Sequence, residues 1–135
     1  MPTFALIMLA ESLLGFVIAA ALSLSACKSI AGNSLKKASL IILIGIVLIN
    51  VIYTGIAAWL IYNRAFAVDV SMTMKTPCYV LGLMSFICSV IQGAVIKAEL
   101  ENNKSTKAII EKLLIPEIIS LVGILYFFMQ SQIPL

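Results

Sequence analysis

The chain has 135 residues, of which 62% are hydrophobic and 11% are charged, and its formal net charge is +3. Soluble domains carry roughly 25% charged residues, so this composition excludes a soluble domain with an ordinary hydrated surface. The small net charge calls for no nucleic-acid partner. With no histidine, and three cysteines that lack metal-like spacing, we expect neither a metal site nor a cofactor.

Four apolar segments follow one another along the chain, at residues 4–26, 38–62, 77–96 and 113–133. Each has about the twenty residues that a helix needs to cross ~30 Å of hydrocarbon. Most charged residues fall between these segments. The sequence therefore predicts an all-α, integral membrane four-helix protein with a single membrane domain over residues 1–135.

The basic residues predict which side of the membrane each loop faces. The first and third loops are rich in lysine, whereas the second has one arginine and one lysine and the termini have neither. Because Lys and Arg collect on the cytoplasmic side, we expect the first and third loops there and both termini on the opposite side. The lysines of the two loops are Lys28, Lys36, Lys37, Lys97, Lys104, Lys107 and Lys112.

Small residues recur every four positions in the first and third segments. This spacing lines one helix face, where another backbone can approach closely in lipid. The two sets are seventy positions apart, which indicates a duplicated helical hairpin. Since each hairpin has an even number of spans, the two tandem hairpins form a parallel repeat. The small residues are Gly15, Ala19 and Ser23 in the first segment and Ser85, Ser89 and Gly93 in the third.

The second and fourth segments carry bulkier residues, as at 41–44 and 126–128. Helices around a narrow centre need small faces, and helices on a wider circumference need bulk. This difference suits two concentric rings of helices, built from several copies of the chain. Ordinary pairwise helix packing also uses small faces and stays open as an alternative.

Glu117 is the one charged residue of the fourth segment, and it follows Pro116 in the apolar stretch 113–128. An ionisable group at membrane depth is costly and marks a functional site by default. Burial favours the neutral form of a carboxyl group, so we expect Glu117 to bind a proton, with Na⁺ the less favoured ion. Pro116 lacks an N–H group, which frees a backbone carbonyl beside this site.

Two amide side chains are the candidate partners of Glu117. Counted outward from the third loop, Gln92 and Glu117 have similar depths to within a turn or two of helix. A Gln amide donates to a carboxylate or offers its oxygen to a cation, and Asn50 in the second segment can add another oxygen. For both amides, a hydrogen bond that merely joins two helices is the alternative.

Glu11 is the second carboxylate within an apolar segment, roughly 10 Å from the non-cytoplasmic end of the first helix. The sequence leaves its role open. It can line the lumen of a ring, contact a lipid headgroup, pair with another subunit, or form a second ion site.

The joint pattern resembles the proteolipid, or c, subunit of vacuolar-type ATPases, in which two fused hairpins carry the ion-binding Glu on the fourth helix. Glu117 precedes Gly123 by six residues, as in that family. Residues 52–55 resemble the matching stretch of the first hairpin, and residues 26–29 resemble the first cytoplasmic turn.

This resemblance also implies a set of ligands. In sodium-carrying relatives, glutamines on the second and third helices hold the ion together with the Glu. Gln92, followed by Gly93, resembles the third-helix partner, and Asn50 falls where the second-helix glutamine would be.

The function that the resemblance implies is that of a proton-carrying rotor-ring subunit in a V-type, ATP-driven proton pump. Copies of the chain, with or without paralogues, would close into a ring that central-stalk subunits turn past a static membrane subunit. That static subunit would supply an arginine to ionised Glu117. The chain has no glycine-rich phosphate loop, so we do not expect it to be an enzyme by itself. The implied location is vacuolar or endomembrane.

A small proton-coupled exporter is the alternative function. The small multidrug resistance family consists of four-helix proteins with one Glu in the first helix, a position that Glu11 fits. The parallel repeat and the single tryptophan, Trp59, argue against this alternative. It also leaves no role for Glu117.

Overall fold

The structure is a computed structural model, which describes residues 3–28, 34–65, 72–102 and 105–131. The prediction of an all-α protein is confirmed for this part of the chain. A short 3-10 turn, Ser25–Lys28, follows the first helix. The four α-helices are α1 (Thr3–Leu24), α2 (Ser34–Ala65), α3 (Met72–Glu101) and α4 (Thr106–Ser131).

Three of these helices are long and apolar enough to cross a membrane, judged over the described residues. The spans are Ala5–Leu24, Lys37–Leu60 and Tyr79–Glu101, and they overlap the first three predicted segments. The fourth predicted segment coincides with α4 as far as Ser131, and its last two residues lie outside the described residues. Lys104, which supports the predicted orientation, lies outside them as well.

Large apolar side chains cover the outside of the helices. Ile41 is 72% exposed, Ile115 is 64% exposed and Trp59 is 59% exposed. Soluble monomers rarely expose contiguous apolar patches of more than a few hundred Å², whereas hydrocarbon chains solvate such a surface well. The surface is that of a protein whose helices face lipid or other membrane helices.

The buried apolar residues form two clusters at different heights. α1 and α3 run from the first cluster towards the second, and α2 and α4 run back, so helices that are consecutive in sequence are antiparallel. The first cluster consists of Ala5, Met8, Ala57, Ala58, Leu81 and Ile124. The second consists of Ala19, Ala26, Leu40, Leu43, Val47, Ile96, Leu100, Ile109 and Leu113.

The most extensive helix contact joins α1 to α3. A Cβ atom placed on Gly15 would lie 2.7 Å from the Cα atom of Phe86, and one placed on Gly93 would lie 2.5 Å from the Cα atom of Ala19. Because neither distance leaves room for a methyl group, both positions require glycine. The two backbones therefore touch, which is how helices gain van der Waals contact in lipid.

Candidate functional site

Seven buried polar side chains lie between the two apolar clusters, and we call them the polar layer. On each helix they follow residues of one cluster and precede residues of the other. Buried polar groups are costly unless they are hydrogen-bonded, so their partners show what the layer can do. The members are Ser12 on α1, Asn50 and Thr54 on α2, Ser85, Ser89 and Gln92 on α3, and Ser120 on α4.

Glu117 reaches the polar layer from α4. Its Oε2 atom accepts a hydrogen bond of 2.6 Å from Nε2 of Gln92. Its Oε1 atom is buried and has no hydrogen-bond partner among the described residues. A buried oxygen without a donor disfavours negative charge, so this oxygen is the natural position for a bound proton.

Gln92 is fully buried and connects three helices. Besides Glu117, its Nε2 atom donates to the backbone carbonyl of Leu113 over 3.1 Å. Its Oε1 atom accepts a hydrogen bond of 2.5 Å from Nδ2 of Asn50 on α2. The structure thus brings together the three predicted ligands, Glu117, Gln92 and Asn50, and their binding of an ion stays a prediction.

The carbonyl of Leu113 belongs to the turn that contains Pro116. A proline inside a helix removes one N–H donor and disturbs the carbonyls of the preceding turn. Pro116 is buried within α4, and the Leu113 carbonyl accepts from the Gln92 side chain. A backbone carbonyl therefore lies beside the site. It is not the carbonyl that Pro116 deprives of a helical donor, which is that of Lys112, four residues earlier.

Tyr53 is the site residue that the sequence reasoning missed. Its hydroxyl group donates a hydrogen bond to Oδ1 of Asn50, one turn earlier on α2. The same hydroxyl lies beside Ser120 and the carboxyl group of Glu117. The three-residue spacing from Asn50 is the signal that identifies it, because residues i and i+3 share a helix face.

The six predicted packing residues are all buried. Gly15, Ala19 and Gly93 lie at the close contact between α1 and α3. Ser23 donates to the carbonyl of Ala19 in its own helix. The other two belong to the polar layer: Ser85 bonds Ser12 over 3.2 Å, and Ser89 accepts a 3.4 Å bond from Asn50.

Glu11 occupies a different position from Glu117. It lies on α1 beside Gly82 of α3, where a Cβ atom would come within 3.2 Å of its Oε1 atom. Its side chain is partly exposed. In the described part of the chain, no hydrogen bond connects Glu11 to Glu117, Gln92 or Asn50.

The ion pair found among the described residues lies away from the polar layer. Lys112 Nζ and Glu99 Oε1 are 2.6 Å apart and join α3 to α4 near the third loop. No cation within the described ranges pairs with Glu117. The same ranges contain no group of three or more His, Cys, Asp or Glu side chains arranged to hold a metal.

Chemically, the site is one carboxyl group that accepts a hydrogen bond from the Gln92 amide and lies beside the Tyr53 hydroxyl, in a polar layer between two apolar clusters. Such a group can hold a proton in the neutral state and can release it when water or a cation arrives. Comparison of the chain with protein-family models, curated proteins and solved structures finds no match.

Proposed function

We propose that the chain is a proton-carrying rotor-ring subunit in the membrane sector of a V-type, ATP-driven proton pump. Glu117 takes up and releases one proton in each passage of the subunit past a static partner. The observation that supports this proposal most directly is the hydrogen bond between Glu117 and Gln92, which lies in a polar layer between two apolar clusters.

The proposed cycle needs two states of Glu117. In the protonated state, Oε2 keeps its bond from Gln92 and Oε1 carries the proton, so the neutral group can pass through lipid at modest cost. In the ionised state, a cation must replace the lost proton. In this proposal, an arginine on the static membrane subunit supplies that charge.

The helix surfaces support assembly into a ring. In this arrangement α1 and α3 form the inner circle, since their close contact uses small residues such as Gly15 and Gly93. α2 and α4 form the outer circle, where exposed residues such as Ile41 and Ile115 face lipid. Other copies of the chain, or paralogues, complete the ring, and central-stalk subunits turn it.

The proposal includes a fourth membrane span, residues 113–133, and two tandem hairpins in parallel repeat. It puts the first and third loops in the cytoplasm, where stalk subunits attach, and both termini on the opposite side. The pump then acts in a vacuolar or other endomembrane, and the ring turns only when soluble partners hydrolyse ATP.

The proposed function is tested by substitution of Glu117 and by chemical labelling of the same residue. Glu117→Gln is expected to abolish proton pumping in native membranes while the chain stays in the membrane, because the amide cannot exchange a proton. Glu11→Gln is the matched control and should leave pumping within about twofold of wild type. Normal acidification by Glu117→Gln would contradict the proposal.

A carbodiimide that reacts with protonated carboxyls from the lipid side should label Glu117, and peptide mass mapping identifies the modified residue. We expect labelling to weaken at high pH and to accompany the loss of pumping. Label on Glu11 with Glu117 unmodified would instead favour a small proton-coupled exporter.

A further inference from the structure

The hydrogen bonds of the site form a chain with one direction. The Tyr53 hydroxyl donates to Oδ1 of Asn50, Nδ2 of Asn50 donates to Oε1 of Gln92, and Nε2 of Gln92 donates to Oε2 of Glu117. Each amide therefore uses its oxygen towards the tyrosine and its N–H group towards the glutamate. The orientation of the two amides therefore decides whether an N–H group or an oxygen faces the carboxyl group of Glu117.

We propose that Tyr53 and Asn50 are specificity-determining residues, which hold the Gln92 amide with its N–H group towards Glu117 so that the site takes a proton and rejects Na⁺. This inference rests on the proposed function and adds the choice of ion to it. A proton needs only one carboxylate oxygen, whereas a bare cation needs several oxygens around it.

Both amide oxygens are already engaged. Oδ1 of Asn50 accepts from Tyr53 and Oε1 of Gln92 accepts from Asn50, so neither oxygen points at the carboxyl group of Glu117. The Gln92 group that points there is an N–H donor, which repels a cation. The Tyr53 hydroxyl lies beside the carboxyl group as well, with its proton donated to Asn50. For Na⁺ to gain these two oxygens, both amides must turn over together.

A further contact favours the observed orientation of Gln92. Nε2 of Gln92 donates to the carbonyl of Leu113, an atom that can only accept. Turning the Gln92 amide would set its oxygen against the Leu113 carbonyl, and turning Asn50 would leave the Tyr53 hydroxyl without its acceptor. The tyrosine thus stabilises the proton-selective arrangement from one end of the chain.

The test measures Na⁺ protection of Glu117 against carbodiimide in membranes that contain the full-length protein, at one fixed neutral pH. In wild type we expect no protection by Na⁺. Tyr53→Phe removes the donor to Asn50, together with the hydroxyl beside Glu117, and keeps the ring. We expect Na⁺ protection to appear in this variant, because loss of one hydrogen bond of about 1 kcal/mol raises the apparent affinity for Na⁺ about fivefold.

Asn50→Leu is the second variant. It frees Oε1 of Gln92 but removes the Asn50 oxygen, so we expect Na⁺ protection that is weaker than in Tyr53→Phe and still greater than in wild type. The control is Tyr79→Phe, the same substitution at a partly buried tyrosine of α3 that packs on the first apolar cluster. A general loosening of the bundle would affect this control too. Sensitivity to Na⁺ confined to the two site variants would support the inference.

Two results would overturn it. One is labelling that stays insensitive to Na⁺ in both site variants, and the other is Na⁺ protection in wild type. In either case the rotor function stands if Glu117 is labelled and Glu117→Gln stops pumping. If Glu117 of wild type is not labelled at all, the proposed function itself fails.

Discussion

At the scale of single residues, the site depends on which polar atoms donate hydrogen bonds and which accept them. Glu117, Gln92 and Asn50 could be identified from the sequence, because polar residues are conspicuous inside apolar segments. The direction of their hydrogen bonds could not, since an amide has similar shape in both orientations and only its three-dimensional neighbours distinguish them. Tyr53 was missed because a tyrosine in an apolar segment ordinarily packs as a hydrophobic residue.

Gln92 is the residue whose loss should affect stability most within the site. Gln92→Leu has similar volume but leaves Asn50 Nδ2 with only the long contact to Ser89. A buried polar group without a partner costs about 1–3 kcal/mol, so we expect a loss of that size in the free energy of unfolding.

Denaturant unfolding in mild detergent measures this loss. The matched control is Ile91→Leu, at the exposed neighbouring position on α3, which should change stability by less than about 0.5 kcal/mol. Equal stability of the Gln92 variant and the control would show that the hydrogen-bond chain contributes nothing measurable to folding.

At the scale of the helices, sequence and structure agree on the segments and differ at their ends. The second predicted segment was 38–62 and the third 77–96, whereas α2 covers Ser34–Ala65 and α3 covers Met72–Glu101. Hydropathy detects residues that suit hydrocarbon, but backbone hydrogen bonds continue into the polar flanks. The helices therefore extend beyond the apolar segments that predicted them.

The contact between α1 and α3 provides a prediction with an internal control. Gly93→Ala puts a methyl group against the backbone of Ala19, so the helices must separate, and we expect about 1–3 kcal/mol of destabilisation. Gly45 has no atom within 4 Å of an added Cβ. Gly45→Ala should therefore stabilise α2 by about 0.5–1 kcal/mol through helix propensity alone.

Thermal unfolding of the two variants in the same detergent checks whether Gly93→Ala lowers the melting temperature and Gly45→Ala raises it. A Gly93 variant as stable as wild type would mean that the close approach of α1 and α3 is not required. Destabilisation by Gly45→Ala would mean that this position faces another chain, and not open space or lipid.

At the scale of the whole molecule, the apolar surface and the predicted repeat both bear on how copies would assemble in the proposed ring. Composition was enough to predict a membrane protein, because 11% charged residues cannot cover a water-facing surface. The sequence could not show how the small faces pair. In the structure, Gly15 and Gly93 are both used within one chain, between α1 and α3, so contacts between copies in the proposed ring would use other surfaces.

The ring proposal predicts the mass of the extracted particle. Native mass spectrometry of the chain, expressed without paralogues and released from mild detergent, should show one species whose mass is a multiple of 14.6 kDa. Association is expected because the apolar surface that one chain leaves exposed can pack on other copies through van der Waals contact in lipid. A single-chain particle under these conditions would contradict a ring built from this chain alone.

The polar layer also has a consequence for how the helices find their vertical alignment. Lipid chains are as apolar as Leu, so the burial of apolar side chains alone gives little preference for one vertical alignment of neighbouring helices over another. If α3 slid by one turn, about 5.4 Å, Gln92 would move away from both Asn50 and Glu117. Three polar groups would then lose these hydrogen bonds inside an apolar environment. The residues proposed to carry the proton thus also set the register of the bundle, which ties correct folding to an assembled site.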